Sequence, residues 1–237
     1  MPFPLRRAAE PAPDFTETAR LQGVEFGYGQ GARVLRGIDL LLPRGSFHFL
    51  TGPSGAGKSS LLRLLHLAAR PTAGRMRLFG EDAGLIRRHD APRFRRRIGV
   101  VFQDFRLMDH LSVFDNAALP LRLAGKRPED YGPDVEEMLR WVGLGGRMGD
   151  LPETLSGGEK QRLAIARAVI GKPDLILADE PTGNVDAAMA ARLLKLFQGL
   201  NQMGATVLIA SHDEALAARS GAGVLRLEHG RIHGDAA

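Results

Sequence analysis

Apolar positions along the chain follow two rhythms. Short apolar runs bounded by glycine, proline or charge read as buried strands: SFHFLTG at 46–52, IGVVF at 98–102, LILAD at 175–179 and VLIAS at 207–211. Between them, SSLLRLLHLAA at 59–69 and AAMAARLLKLFQGLNQM at 187–203 repeat apolar residues at helical spacing. Toward the N-terminus, LQGVEFGYG and VLRGIDLLLPRG read as two short strands around a glycine-rich turn, and GRMRLFGED as a further strand and turn. From about Phe105 to Lys172 the character changes. VFDNAALPLRLAG, DVEEMLRWVGL and GGEKQRLAIARAVI all read as helical, with proline and glycine between them. A short helix from Glu214 and a hairpin-like VLRLEHGRIHG close the chain. Strands alternating with helices predict a parallel α/β sheet, here with a helical subdomain inserted in its middle.

Length and composition keep this picture within ordinary globular bounds. A chain of 237 residues, 44% hydrophobic and 25% charged, suits one core with a subdomain. The expected division is a tail over residues 1–20 and one domain over 21–237, its helical part at about 105–172. The start, MPFPLRRAAEPAPDF, is rich in proline and alanine and lacks the continuous apolar stretch of a secretory signal, so it reads as loosely attached. No apolar run approaches the roughly 18 residues of a membrane span. Cysteine is absent, which excludes a disulfide framework and thiolate metal sites.

Charge changes the picture in one place. The net charge is +5, and RRHDAPRFRRR at 87–97 holds six arginines and one aspartate, which is +5 by itself. The remainder is close to neutral, unlike a protein whose basic residues line a nucleic-acid groove. The segment reads either as a solvated, arginine-rich helix or as a contact for anionic lipid or an acidic partner loop.

The chemistry-bearing motifs sit where the predicted strands end. GPSGAGKSS matches G-x-x-x-x-G-K-[ST] between a strand and a helix, the setting that a phosphate loop requires. Gly52, Gly55 and Gly57 free the backbone N–H groups to close around phosphate oxygens, with Pro53, Ser54 and Ala56 completing the loop. Lys58 reaches the β and γ phosphates, Ser59 ligates Mg²⁺, and Ser60 follows on the same helix. LILADE then places Asp179 at a strand end to hold Mg²⁺ through water, and Glu180 beside it as general base. Gln103 follows IGVVF and His212 follows VLIAS. Ligands of open α/β sheets bind at the carboxyl ends of strands. Four strands therefore deliver polar residues to one edge, with Gln103 positioning water and touching the cation, and His212 sensing the γ-phosphate.

LSGGEKQR, Leu155 to Arg162, is a second anion-binding candidate. Ser156 and Glu159 form a capping box. A cap needs neither glycine. Gly157 and Gly158 leave bare N–H groups at the positive end of a helix.

The ordered set of phosphate loop, Gln103, LSGGE, LILADE, GNVD at 183–186 and His212 resembles the ATP-binding-cassette (ABC) ATPase family over nearly the whole chain from about Leu21. The resemblance implies a P-loop NTPase (RecA-like) core with an N-terminal antiparallel β subdomain and a helical signature subdomain, ATP and Mg²⁺ as cofactors, and two cassettes packed head to tail. Ser156, Gly157, Gly158 and Asp186 would then meet the nucleotide held by the other copy, and Tyr28 would stack on adenine. FQDFRLMDHL and ADEPTGNVD are similar to the cell-division branch of the family. That branch implies a homodimer at the cytoplasmic face of the inner membrane, working with an integral membrane subunit and without direct nucleic-acid contact. An ATPase subunit of a lipoprotein-releasing or macrolide-type exporter would share these site residues, and a soluble ABC ATPase acting on DNA or ribosomes is the third reading. The chain departs from the commonest pattern at Val185, where leucine is usual, and at Ser60, where threonine is usual.

Overall fold

The computed structural model describes residues 15–29, 33–183 and 185–233. Much of the expected tail lies outside this range. Two sheets share the interior. The smaller is antiparallel, in the order β2-β1-β4-β5, from β1 (Glu17–Gly27), β2 (Arg33–Pro43), β4 (Ala73–Leu78) and β5 (Glu81–Asp82). The larger has the order β10-β9-β3-β8-β7-β6. In it β3 (Phe47–Thr51), β6 (Ile98–Val101), β7 (Leu175–Asp179), β8 (Thr206–Ala210) and β9 (Gly223–Glu228) run parallel, and only β10 (Arg231–His233) is antiparallel.

The central strands are apolar throughout because both of their faces are covered. Alternation along β7 sends Leu175 and Leu177 into the core shared with the small sheet, and Ile176 and Ala178 into the core shared with the helices. All four are fully buried, and each Leu or Ile contributes about 1.5–3 kcal/mol of hydrophobic stabilisation. The first core also takes α1 (Lys58–Leu65) and α2 (Ala91–Arg95). The second takes α3 (Val113–Leu123), α4 (Pro128–Trp141), α5 (Gly157–Val169) and α6 (Ala187–Gln202), with α7 (Glu214–Ser220) at its edge.

Several boundaries differ from the sequence reading. Strand β1 begins at Glu17, so 17–20 belong to the domain. Thr18 is fully buried, and its hydroxyl pairs with that of Thr206 at 2.7 Å, tying the small sheet to β8. The helix after the phosphate loop stops at Leu65, short of Ala69, because Leu67 turns to a φ of 59°. Helix α4 starts at Pro128 and runs through Pro133, where the dipeptide Gly132–Pro133 reads as a break. The arginine-rich segment forms only the five-residue α2, its arginines mostly exposed. Among the described residues no helix is long and apolar enough to cross a membrane.

Candidate functional site

Strand register brings the site together. Leu50 of β3 pairs with Ala210 of β8, Ala210 with Asp179 of β7, and Ala178 with Val101 of β6. The residues that follow these strand ends must therefore share one edge of the sheet. They surround a hollow of about 790 Å³ lined by Tyr28, Ser54, Gly55, Gly57, Lys58, Ser59, Ser60, Gln103, Asp179, Glu180 and His212, with Val34 and Gly183.

The phosphate loop is a tight wrap. Gly52 has φ 140°, and a Cβ there would lie 2.1 Å from the Leu227 carbonyl oxygen of β9, so only glycine fits. Gly57, at φ 109°, caps α1 with no side-chain partner, which leaves the helix N–H groups to whatever enters the hollow. Lys58 is buried and its Nζ donates to the carbonyls of Gly52 (2.7 Å) and Pro53 (3.2 Å), a cation held inside its own loop. Gly52, Pro53 and Ala56 shape the loop from outside the hollow.

Opposite the loop, the Ser59 hydroxyl donates to the Asp179 carboxylate. Burial pushes Asp179 above its ordinary value, with the nearby Glu180 charge adding to the rise, against the Ser59 hydrogen bond and Lys58. A half-buried carboxylate beside a hydroxyl, next to a phosphate cradle, suits a hard cation that completes its oxygen shell with phosphate and water; Ser59, Gln103 and, through water, Asp179 fit Mg²⁺. Glu180 is held at φ 49°, a strain of about 1–3 kcal/mol, and its N–H donates to the Ala210 carbonyl. Its carboxylate accepts from Nδ1 of His212 at 2.9 Å and from the Ser211 hydroxyl at 3.4 Å. A carboxylate only accepts, so the proton of that pair sits on Nδ1 of His212. Tyr28 is half exposed and reaches Ser60 through its hydroxyl at 3.1 Å, while the Arg63 guanidinium lies over its ring at 5.6 Å.

The signature segment stands elsewhere. Ser156 caps α5 and accepts from the Glu159 N–H, while the Ser156 N–H and hydroxyl donate to Glu159 Oε2 at 2.9 and 2.8 Å. Those bonds, with Arg147 behind them, hold Glu159 below the ordinary carboxylate range. Arg147 also grips Asp150 and the Thr154 carbonyl. Gly157 is exposed, and a Cβ there would meet nothing within 4 Å. Asp186 likewise lies outside the hollow, capping α6 by accepting from the Met189 N–H at 2.8 Å. Within one chain the hollow is thus lined by the phosphate loop, Gln103, Asp179, Glu180, His212 and Tyr28, while Ser156, Gly157, Gly158 and Asp186 stay apart. Sequence reasoning passed over Arg147, whose partners Asp150, Thr154 and Glu159 lie nearby in the chain, and Arg63 and Arg167, whose partners are distant in the chain and carry no local signal.

Comparison with known proteins agrees with this geometry. The family model described as ABC transporter matches residues 35–183. The cell division ATP-binding protein FtsE of Escherichia coli strain K12 is 43% identical over 215 residues, 91% of this chain and 97% of that protein. FtsE of Mycobacterium tuberculosis is 43% identical over 216 residues, 91% of this chain and 94% of its own. Among solved structures, the dimeric post-hydrolysis state of the ATP-binding cassette MJ0796 bound to ADP and Pi superposes with a TM-score of 0.83 at 30% identity, covering 91% of this chain and 96% of that one. A P-loop core, a separate signature helix and these matches together make the chain a member of the ABC transporter family, as an ATP-hydrolysing cassette.

Proposed function

We propose that the chain is the ATPase subunit of a cell-division ABC complex. In this reading it works as a homodimer, docked on an FtsX-like integral membrane subunit at the cytoplasmic face of the inner membrane, and regulates septal cell-wall hydrolysis. The cell-division assignment is supported by the FtsE relatives, matched over 91% of the chain. The observation that carries the two-chain reading is the separation of the signature residues from the hollow. Ser156 and Gly157 are exposed at a helix N-terminus with Gly158 partly buried beside them, none of the three lines the chain's own hollow, and the solved cassette that resembles this one is dimeric.

The residues divide the work as follows. The loop N–H groups and Lys58 hold the β and γ phosphates, and Tyr28 offers its ring to adenine. Ser59, Gln103 and, through water, Asp179 would hold Mg²⁺, which would supply charge neutralisation of the phosphates. Glu180 accepts the proton of the attacking water, and His212 fixes the Glu180 carboxylate and faces the γ-phosphate. The partner's signature helix closes the remaining side and excludes water, with Asp186 beside the joint. Glu180→Gln should bind ATP and remain a closed dimer with turnover lost, as light scattering with ATP would show. Near wild-type turnover in that variant removes Glu180 from the role. Purification from membranes with mass spectrometry of associated proteins tests the partner. Recovery of exporter subunits there would favour the transporter reading, whose site residues are the same.

A further inference from the structure

Arg167 lies on α5 about three turns beyond Ser156, and only 9% of it is exposed. Its guanidinium donates twice, from Nη1 to the Arg106 carbonyl and from Nη2 to the Phe105 carbonyl, both at 2.6 Å. Those carbonyls belong to consecutive residues held at φ 59° and 49°, just past Gln103. Two N–H groups of one plane on two successive carbonyls set both the position and the rotation of the loop, which a point charge cannot do. The same loop is gripped from its other side. The Arg106 guanidinium lies over the Phe102 ring at 4.3 Å, and Phe102 meets His66 edge-on at 5.6 Å. His66 caps the end of α1, the helix that begins in the phosphate loop. Contacts therefore run unbroken from the phosphate-loop helix, through Phe102 before Gln103 and Arg106 after it, to the signature helix.

We propose that Arg167 is a positioning residue that ties the Gln103 loop to α5, so that Gln103 and the Ser156–Gly158 terminus shift as one body. The inference rests on the two-chain reading above. When Gln103 engages the nucleotide of its own chain, α5 is carried with it, and its N-terminus is set for the nucleotide of the partner. Occupancy of one site thereby favours completion of the other.

Two variants test this. Arg167→Lys keeps the charge and loses the fork. The double variant Phe105→Gly with Arg106→Gly keeps both carbonyls, suits the positive φ values, and frees the loop from its restraint. Each is measured for ADP affinity as a monomer, for ATP-driven dimerisation in the Glu180→Gln background, and for the Hill coefficient of hydrolysis with Glu180 intact. Unchanged ADP affinity, about tenfold more ATP needed for dimerisation, and a Hill coefficient falling to about 1 are expected. Wild-type ATP dependence of dimerisation in Arg167→Lys overturns the proposal. If that variant does not fold, the glycine variant decides alone, and unchanged dimerisation there overturns it equally. Failure of Glu180→Gln by itself to dimerise with ATP overturns the two-chain reading, and the role of Arg167 with it.

Discussion

Among the described residues two helix N-termini begin in glycine, and they are built in opposite ways. Helix α1 opens at Gly57 in a left-handed conformation with no side-chain cap and no acid in its first turn, and Lys58 is drawn onto the carbonyls before it. Helix α5 opens at Ser156 with a complete capping box, an ionised Glu159 and Arg147 holding that acid in place. The first terminus leaves its donors unspent and adds a cation, so it can bind a polyphosphate by itself. The second has already satisfied its serine, and its glycines, Gly157 exposed and Gly158 partly buried, offer only backbone donors. One is a receptor and the other a supplement, and an anion at α5 gains enough only when something else holds it there.

Perturbing each terminus separately should break or sharpen this contrast. The largest effect belongs to Lys58→Ala, which should weaken nucleotide binding by the monomer and reduce hydrolysis by about 10²–10³-fold; unchanged affinity by calorimetry would show that the receptor does not depend on its lysine. Gly157→Asp comes next. It adds an acid where the helix dipole welcomes one, so the fold should hold and monomer binding should persist, while hydrolysis falls by about 10²-fold or more from repulsion of phosphate. Loss of monomer binding in that variant would place the signature inside the chain's own site.

The same substitution at both glycines should then change stability in opposite directions. Gly57→Ala forces a side chain into φ 109° with its Cβ 2.8 Å from Leu35, and should lower stability by about 1–3 kcal/mol. Gly157→Ala meets nothing, and should raise it by about 0.5 kcal/mol through a less flexible unfolded chain. Denaturation midpoints of the two variants compare them directly.

The smallest effect is a pH slope behind the first terminus. Burial holds the His66 imidazole below the ordinary histidine value, aided by Arg95, Arg106 and Arg63 and opposed by its bond to the Leu62 carbonyl. The unfolded chain then takes up the proton first, near pH 6.5, so stability is fully present above about pH 6.5 and declines as pH falls toward the depressed folded value. His66→Gln should flatten that part of the slope. His48, lowered by burial on β3, leaves a residual share of it.

Local chemistry made much of this legible in the sequence. Phosphate-loop glycines, the apolar strands ending in Asp179, Gln103 and His212, and the Ser156–Glu159 box each announce themselves within a few residues, and strand register then dictates that the first group meet. What could not be read locally was missed. Pro133 is tolerated inside α4, as Pro120 is in the segment already read as helical, because tertiary burial of Ala117, Leu121, Val135 and Met138 outweighs a lost backbone bond. Glu17–Arg20 read as tail because the buried partner of Thr18 lies at position 206. Phe105 and Arg106 give no hint of left-handed backbone, since the arginine that receives their carbonyls is some sixty positions away.

The place of β3 in the large sheet has a consequence for how the protein is made. This strand delivers the phosphate loop, yet its neighbours are β8 and β9, and the turn at Gly52 packs against Leu227. A nascent chain that has emitted only the loop and its helix has neither wall of the cradle. Nucleotide competence therefore arrives late in synthesis, once residues through β9 have emerged and paired across long sequence separations. An unfinished or truncated cassette would then be unable to hold ATP.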